Sequence, residues 1–124
     1  MAGEQNVEMA KRGYAAFSAG DAAAAMEILA DDIEWVTPGN SAISGTVQGK
    51  EAVGALWAQF ASKGFTTTPQ FWFSDEERVV VLTHTTIEGE AADSCDVLTF
   101  REGKVVKFQT AGDTALIERV FGSE

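Results

Sequence analysis

The apolar positions near the start of the chain recur at three- and four-residue spacing. Val7, Ala10, Tyr14 and Phe17 therefore share one face of a helix running from about Val7 to Ser18. Gly20 can end that helix in the left-handed conformation. Asp21 can cap a second one, because Ala22 to Ala30 are nearly all good helix formers. Asp31-Asp32 is expected to stop it, after which Ile33 to Thr37 reads as a short strand closed by Pro38-Gly39. Asn40 to Gln48 reads as a polar loop. Beyond Gly49 a third helix carries Val53, Leu56, Trp57 and Phe60 as its apolar stripe and ends near Lys63-Gly64.

The second half changes period. Thr66 to Ser74, Arg78 to Ile87, Ala92 to Arg101 and Lys104 to Ala111 are β-branched or aromatic runs, split by short acidic and glycine-containing turns. Connections that short require antiparallel neighbours. Asp113 can cap a last helix bearing Leu116, Ile117 and Val120. The predicted order is α-α-β-α-β-β-β-β-α, and the class is α+β because no helix separates the late strands to support parallel crossovers. A strongly curved antiparallel sheet wrapped around the N-terminal helices would form a cone with an apolar pocket. No repeat, low-complexity tract or linker divides residues 1–124, so one domain is expected.

Composition narrows the function classes. With 45% hydrophobic and 23% charged residues the chain suits a folded core. A formal charge of −10 opposes binding to nucleic-acid phosphates, and no run approaches the ~20 apolar residues of a membrane span. Met1 to Glu8 lacks the basic and apolar regions of a secretory leader, and a single cysteine, Cys95, leaves no internal disulfide. A cytoplasmic location is the expectation, with Cys95 as a half-buried strand residue.

Candidate chemistry is sparse. One histidine and one cysteine give no structural zinc site, and no metal or cofactor is expected. The run Gly45 to Glu51 has the glycines and lysine of a phosphate loop. It places three residues rather than four between the glycines, and Glu51 where Ser or Thr is required. His84 alternates with Leu82 and Thr86 against Val81, Thr83 and Thr85. On the outer sheet face it would be a surface or interface residue, on the inner face a pocket base. Alternation also groups Asp96, Leu98 and Phe100, and on the next strand Val106, Phe108 and Thr110, on faces that look into the cone. A carboxyl enclosed there loses hydration of its charged form, so the pKa of Asp96 should rise. It would then serve as a neutral donor to a ligand carbonyl, or as a general acid/base near neutral pH.

The ordered segments Tyr14 to Asp21, Leu29 to Trp35, Gly45 to Val53, Leu98 to Val106 and Asp113 to Ala115 resemble the SnoaL-like branch of the nuclear transport factor 2-like superfamily. The resemblance covers nearly the whole chain and implies the cone fold. Its geometry would add Phe17, Trp35, Thr37, Trp57 and Phe60 to the pocket wall. In the similar ketosteroid isomerases an Asp base works with a Tyr and a protonated Asp in an apolar site. By that resemblance the base position falls on Thr37, the tyrosine position on Gly13 with Tyr14 next to it, and the oxyanion aspartate on Asp96. Limonene-epoxide hydrolases, which also resemble this fold, use an Asp-Arg-Asp arrangement. Asp96 matches one acid, while Ser94 and Thr110 stand at the other two positions.

Three functions follow. The first is an isomerase-, cyclase- or hydrolase-type enzyme acting on a small apolar molecule, with Asp96 as acid or base and Thr37, Thr110 and Tyr14 positioning substrate or water. The second is a non-catalytic binder using the same pocket. The third is a dimerisation domain whose pocket is filled by its own aromatic rings. A homodimer through the outer sheet face is expected, because the late strands carry apolar residues on both faces.

Overall fold

The computed structural model describes residues 2–122; Met1, Ser123 and Glu124, at the ends of the 1–124 domain expected above, lie outside the described residues. Helix α1 runs over Ala2–Ser18 and α2 over Ala22–Met26; strands β1 and β2 span Leu29–Thr37 and Gly45–Gln48; α3 covers Lys50–Ser62. Four strands follow, β3 Thr66–Ser74, β4 Arg78–Ile87, β5 Glu90–Arg101 and β6 Lys104–Ala111, and α4 Thr114–Phe121 closes the order. The class is α+β as expected.

Local chemistry sets the helix ends. Gly20 adopts φ +79° after α1, and the Asp21 carboxylate accepts from the Ala24 N–H at 3.0 Å to start α2. Asp113 does the same for α4, accepting from the Leu116 N–H at 3.0 Å. The other end of α4 is pinned to the loop after β1, where the Ala42 N–H donates to the Gly122 carbonyl at 2.8 Å.

The strands form one six-stranded sheet in the order β2-β1-β6-β5-β4-β3. Three expectations are corrected here. The second helix stops at Met26 rather than Ala30, and Asp31 and Asp32 lie within β1. The cause is tertiary: Leu29 pairs with Val105, the Val105 N–H donates to the Ile28 carbonyl, and Leu29 and Ile33 are buried, which outweighs helix propensity. Residues Gly45–Gln48, expected in a loop, form the edge strand β2 against β1. Finally, β1 runs parallel to β6, so the sheet is mixed rather than wholly antiparallel; α3 and four strands separate the two in sequence, room enough for the long crossover that parallel pairing needs.

Helices α1 to α3 cover the concave side of the curved sheet. Ala10, Ile33, Val53, Val79, Val81, Leu98 and Val105 are at most 1% exposed and form the packed apex of the core. Strand parity follows expectation on β4 and β5. It fails at Val106, because the register slips between Thr99 and Phe100 so that Phe100 opposes Val105. Val105, not Val106, therefore faces the core ahead of Phe108.

Candidate functional site

Between the helices and the sheet the cone retains a cavity of about 130 Å³. Its aromatic wall follows from two local patterns. The apolar stripe of α3 turns Trp57 and Phe60 inward, and alternation on β1 and β6 turns Trp35 and Phe108 inward. Trp35 stacks on Phe108 with ring centroids 3.7 Å apart and planes 10° apart. Trp57 meets Trp35 and Phe17 edge-on, at 5.8 and 5.3 Å. The rings stand around the cavity without closing it, against the expectation of a third class of protein whose pocket is plugged by its own side chains.

The one buried carboxyl group among the described residues is that of Asp96, 6% exposed on the inner face of β5. The Tyr14 hydroxyl of α1 donates to its Oδ2. Thr110 stands directly across from it on β6. Burial pushes the Asp96 carboxyl up from the ordinary carboxylate range, and the hydrogen bonds from Tyr14 and Thr110 oppose that rise. Tyr14 is pushed well above its ordinary value, first by its own burial and then by the neighbouring Asp96 charge. Tyr14 thus holds its proton and donates it toward the carboxyl.

Of the ten residues expected at the pocket, Asp96, Tyr14, Phe17, Trp35, Trp57, Phe60, Leu98, Phe108 and Thr110 all line the cavity. Thr37 does not. It is 2% exposed at the end of β1, beside the edge strand β2, with its hydroxyl unpartnered and off the cavity wall. Gly13 lines the wall, and a Cβ there would stand 2.4 Å from the Ile28 Cδ1, so this position admits no side chain without displacing Ile28. Tyr14, one residue further along the helix, supplies the hydroxyl instead.

The cavity wall holds further residues. Ser94, named above only as a position of the hydrolase resemblance, and Thr85 both line it, and parity places them there, Ser94 two residues before Asp96 and Thr85 two after Thr83. Phe65, Thr67, Asp113, Leu116 and Ile117 line it as well, and no local pattern points there. Asp113 thus caps α4 and borders the cavity. The indole N–H groups of Trp35 and Trp57 and the hydroxyl of Thr67 are buried without a partner.

His84 lies on the outer face, with Leu82, and its Nδ1 is 3.0 Å from Asp93 Oδ1. It plays no part in the cavity. Cys95, also outward and half-buried, is a free thiol pushed up by burial and by the Asp96 charge. No group of three or more His, Cys, Asp or Glu side chains among the described residues could hold a metal ion. No helix among them is long and apolar enough to cross a membrane.

Several solved structures share this architecture. Bal32a, from a soil-derived mobile gene cassette, is 28% identical with a TM-score of 0.91, over 98% of this chain and 99% of its own. An NTF2-like protein of unknown function from Burkholderia pseudomallei is 24% identical with a TM-score of 0.85, over 96% and 98%. TerC, co-crystallised with polyporic acid, is 24% identical with a TM-score of 0.85, over 96% and 99%. No curated protein matches the chain. The SnoaL-like domain family matches residues 10–108, the span from the apolar face of α1 to the stacked Phe108. With the cone, its inward carboxyl and that match in agreement, the chain belongs to the SnoaL-like domain family.

Proposed function

We propose that the protein binds a small, largely apolar molecule in the cone cavity and moves a proton on it with Asp96, without a cofactor. The observation that carries this reading is one buried carboxyl, hydrogen-bonded to Tyr14, in a wall made mostly of rings and aliphatic groups with a few hydroxyls, the other carboxyl at the wall, Asp113, being engaged as the cap of α4. A carboxyl raised by burial exchanges its proton closer to neutral pH, which is what an acid/base catalyst requires. Thr110 and Ser94 flank it on the same inner surface and are the groups available to orient the guest or a water. The free Cys95 fits a reducing cytoplasm.

Two measurements test the reading. Carboxyl-resolved NMR is expected to show Asp96 titrating above the ordinary range; a value near ~4 removes its basis. Incubating the protein with a pool of small apolar metabolites, followed by mass spectrometry, is expected to reveal a species consumed by the wild type and not by Asp96→Asn. A species retained but never consumed would make the protein a carrier.

The same reading assigns the outer sheet face to a second copy of the chain. Phe71 and Phe73 are 59% and 57% exposed there, beside Leu82. Cross-strand pairing joins them to Val80, Cys95 and Val97 in one apolar patch. Arg78 and Lys107 border one end of the patch and Asp93 the other, so a two-fold arrangement brings basic ends to acidic ends.

A further inference from the structure

The groups around the cavity also specify what kind of guest it takes, provided the reading above, that it takes one, holds. Two properties decide the class. The first is size. A cavity of about 130 Å³ is close to the roughly 150 Å³ apolar cavity that admits benzene, so one ring fits and a fused three-ring skeleton does not.

The second is hydrogen-bonding balance. Trp35 and Trp57 each carry a donor and no acceptor, and both indole N–H groups are buried without a partner. A buried donor left unmet is costly, so such groups in a native protein ask for an explanation. Of the two carboxyls at the wall, Asp96 already receives Tyr14 and Asp113 receives the Leu116 N–H. What the two indole N–H groups lack is therefore an acceptor. A cationic amine brings only donors and leaves both indoles unpaired. An anion would have to share the cavity with Asp96 in a chain of net charge −10.

We propose that the guest is a neutral molecule of single-ring size that presents a carbonyl-type oxygen to the indole N–H groups of Trp35 and Trp57. Its ring lies against the stacked Trp35–Phe108 pair and the Trp57 edge, and its oxygen occupies the acceptor position that no side chain fills. Ring and oxygen act together: the wall holds the apolar part, and the orphaned donors orient it relative to Asp96.

The test is a binding panel on the intact chain, read by indole N–H resonances in a two-dimensional NMR titration. Acetophenone is the one-ring ketone, ethylbenzene its hydrocarbon counterpart, benzylamine the one-ring cation, and fluorenone the fused three-ring ketone. Acetophenone is expected to bind about tenfold more tightly than ethylbenzene, the worth of one hydrogen bond to a buried donor, and to move the Trp35 and Trp57 indole signals. Benzylamine and fluorenone are expected to bind more weakly than acetophenone. Trp35→Phe and Trp57→Phe keep an aromatic ring without its N–H, and at least one should erase the advantage of acetophenone over ethylbenzene. Equal binding of ethylbenzene, or tighter binding of benzylamine or fluorenone, overturns the assignment of class while leaving a cavity that takes guests. Failure of all four probes to bind overturns that broader reading as well.

Discussion

The Tyr14 hydroxyl on α1 donates to Oδ2 of Asp96 on β5, joining residues 82 apart in the chain. Neither element makes a site alone. The helix turns a phenol toward the sheet because Tyr14 sits beside Gly13 on its buried side, and the strand turns a carboxyl inward because Asp96 shares the parity of Leu98 and Phe100. Burial lifts the carboxyl while the phenol and Thr110 restrain it, so the protonation state of Asp96 reports on the whole arrangement.

Removing the phenol should release that restraint. In Tyr14→Phe the carboxyl keeps its burial and loses a donor, so Asp96 is expected to titrate higher than in the wild type, as read by carboxyl-resolved NMR. A hydrogen bond to a charged or partly charged group contributes about 1.5–3 kcal/mol, and stability at neutral pH should fall by that order. An Asp96 titration identical in the two proteins would mean that the hydrogen bond does not operate in solution.

Stability should depend on pH through the same carboxyl. Its folded-state pKa lies above the ordinary 3.8, so the folded state holds the proton more tightly than the unfolded one. That contribution is present in full below the unfolded value and is lost as pH rises through the raised folded value. Other carboxylates add slopes of their own, so the informative quantity is the difference in urea midpoint between the wild type and Asp96→Asn. The difference should favour the wild type most at acid pH and move toward the variant as pH rises, by at most about 1.4 kcal/mol per pH unit. A difference constant across pH 4 to 8 would contradict an elevated Asp96.

Local sequence signals revealed most of the frame and the centre of the site, and the misses have a common cause. Caps at Asp21 and Asp113, the stripe of α3 and the alternation around Asp96 are encoded within a few residues of where they act, so they were legible. The parallel pairing of β1 with β6, the strand Gly45–Gln48 and the inward turn of Val105 depend on partners far along the chain. Thr37 illustrates the difference: its parity agrees with Trp35, yet it is buried at the end of β1 and off the cavity wall. Phe65 and the start of α4 reach the wall only because the sheet curls, and curvature is not written in any short window.

Gly13→Ala should separate cavity size from stability. The added Cβ would stand 2.4 Å from Ile28 Cδ1, and the space open to that methyl is the cavity that both residues line. Alanine gains about 1 kcal/mol of helix propensity over glycine, whereas forcing a wall side chain aside costs roughly 1–3 kcal/mol. The net cost, read from the urea midpoint, is therefore expected to be at most about 2 kcal/mol, while acetophenone binding weakens at least severalfold in a calorimetric titration. A large loss of stability with affinity unchanged would show that Ile28 does not yield toward the cavity.

The outer face makes the last prediction. In a two-fold dimer each residue of the patch meets the same patch on its partner, so a single substitution acts twice. Leu82 lies near the centre, paired with Phe71 on one side and Cys95 on the other. It is 38% exposed, so placing a charge there should cost the single chain little, because a surface change usually stays within about 0.5 kcal/mol. Within the interface the same change sets two carboxylates against apolar surface and against each other, which disfavours association by several kcal/mol. Light scattering at micromolar concentration is expected to give a dimer for the wild type and a monomer for Leu82→Asp, with circular dichroism unchanged. A wild-type monomer at that concentration would leave the patch without the partner assigned to it, and a Leu82→Asp dimer would place the contact elsewhere on the molecule.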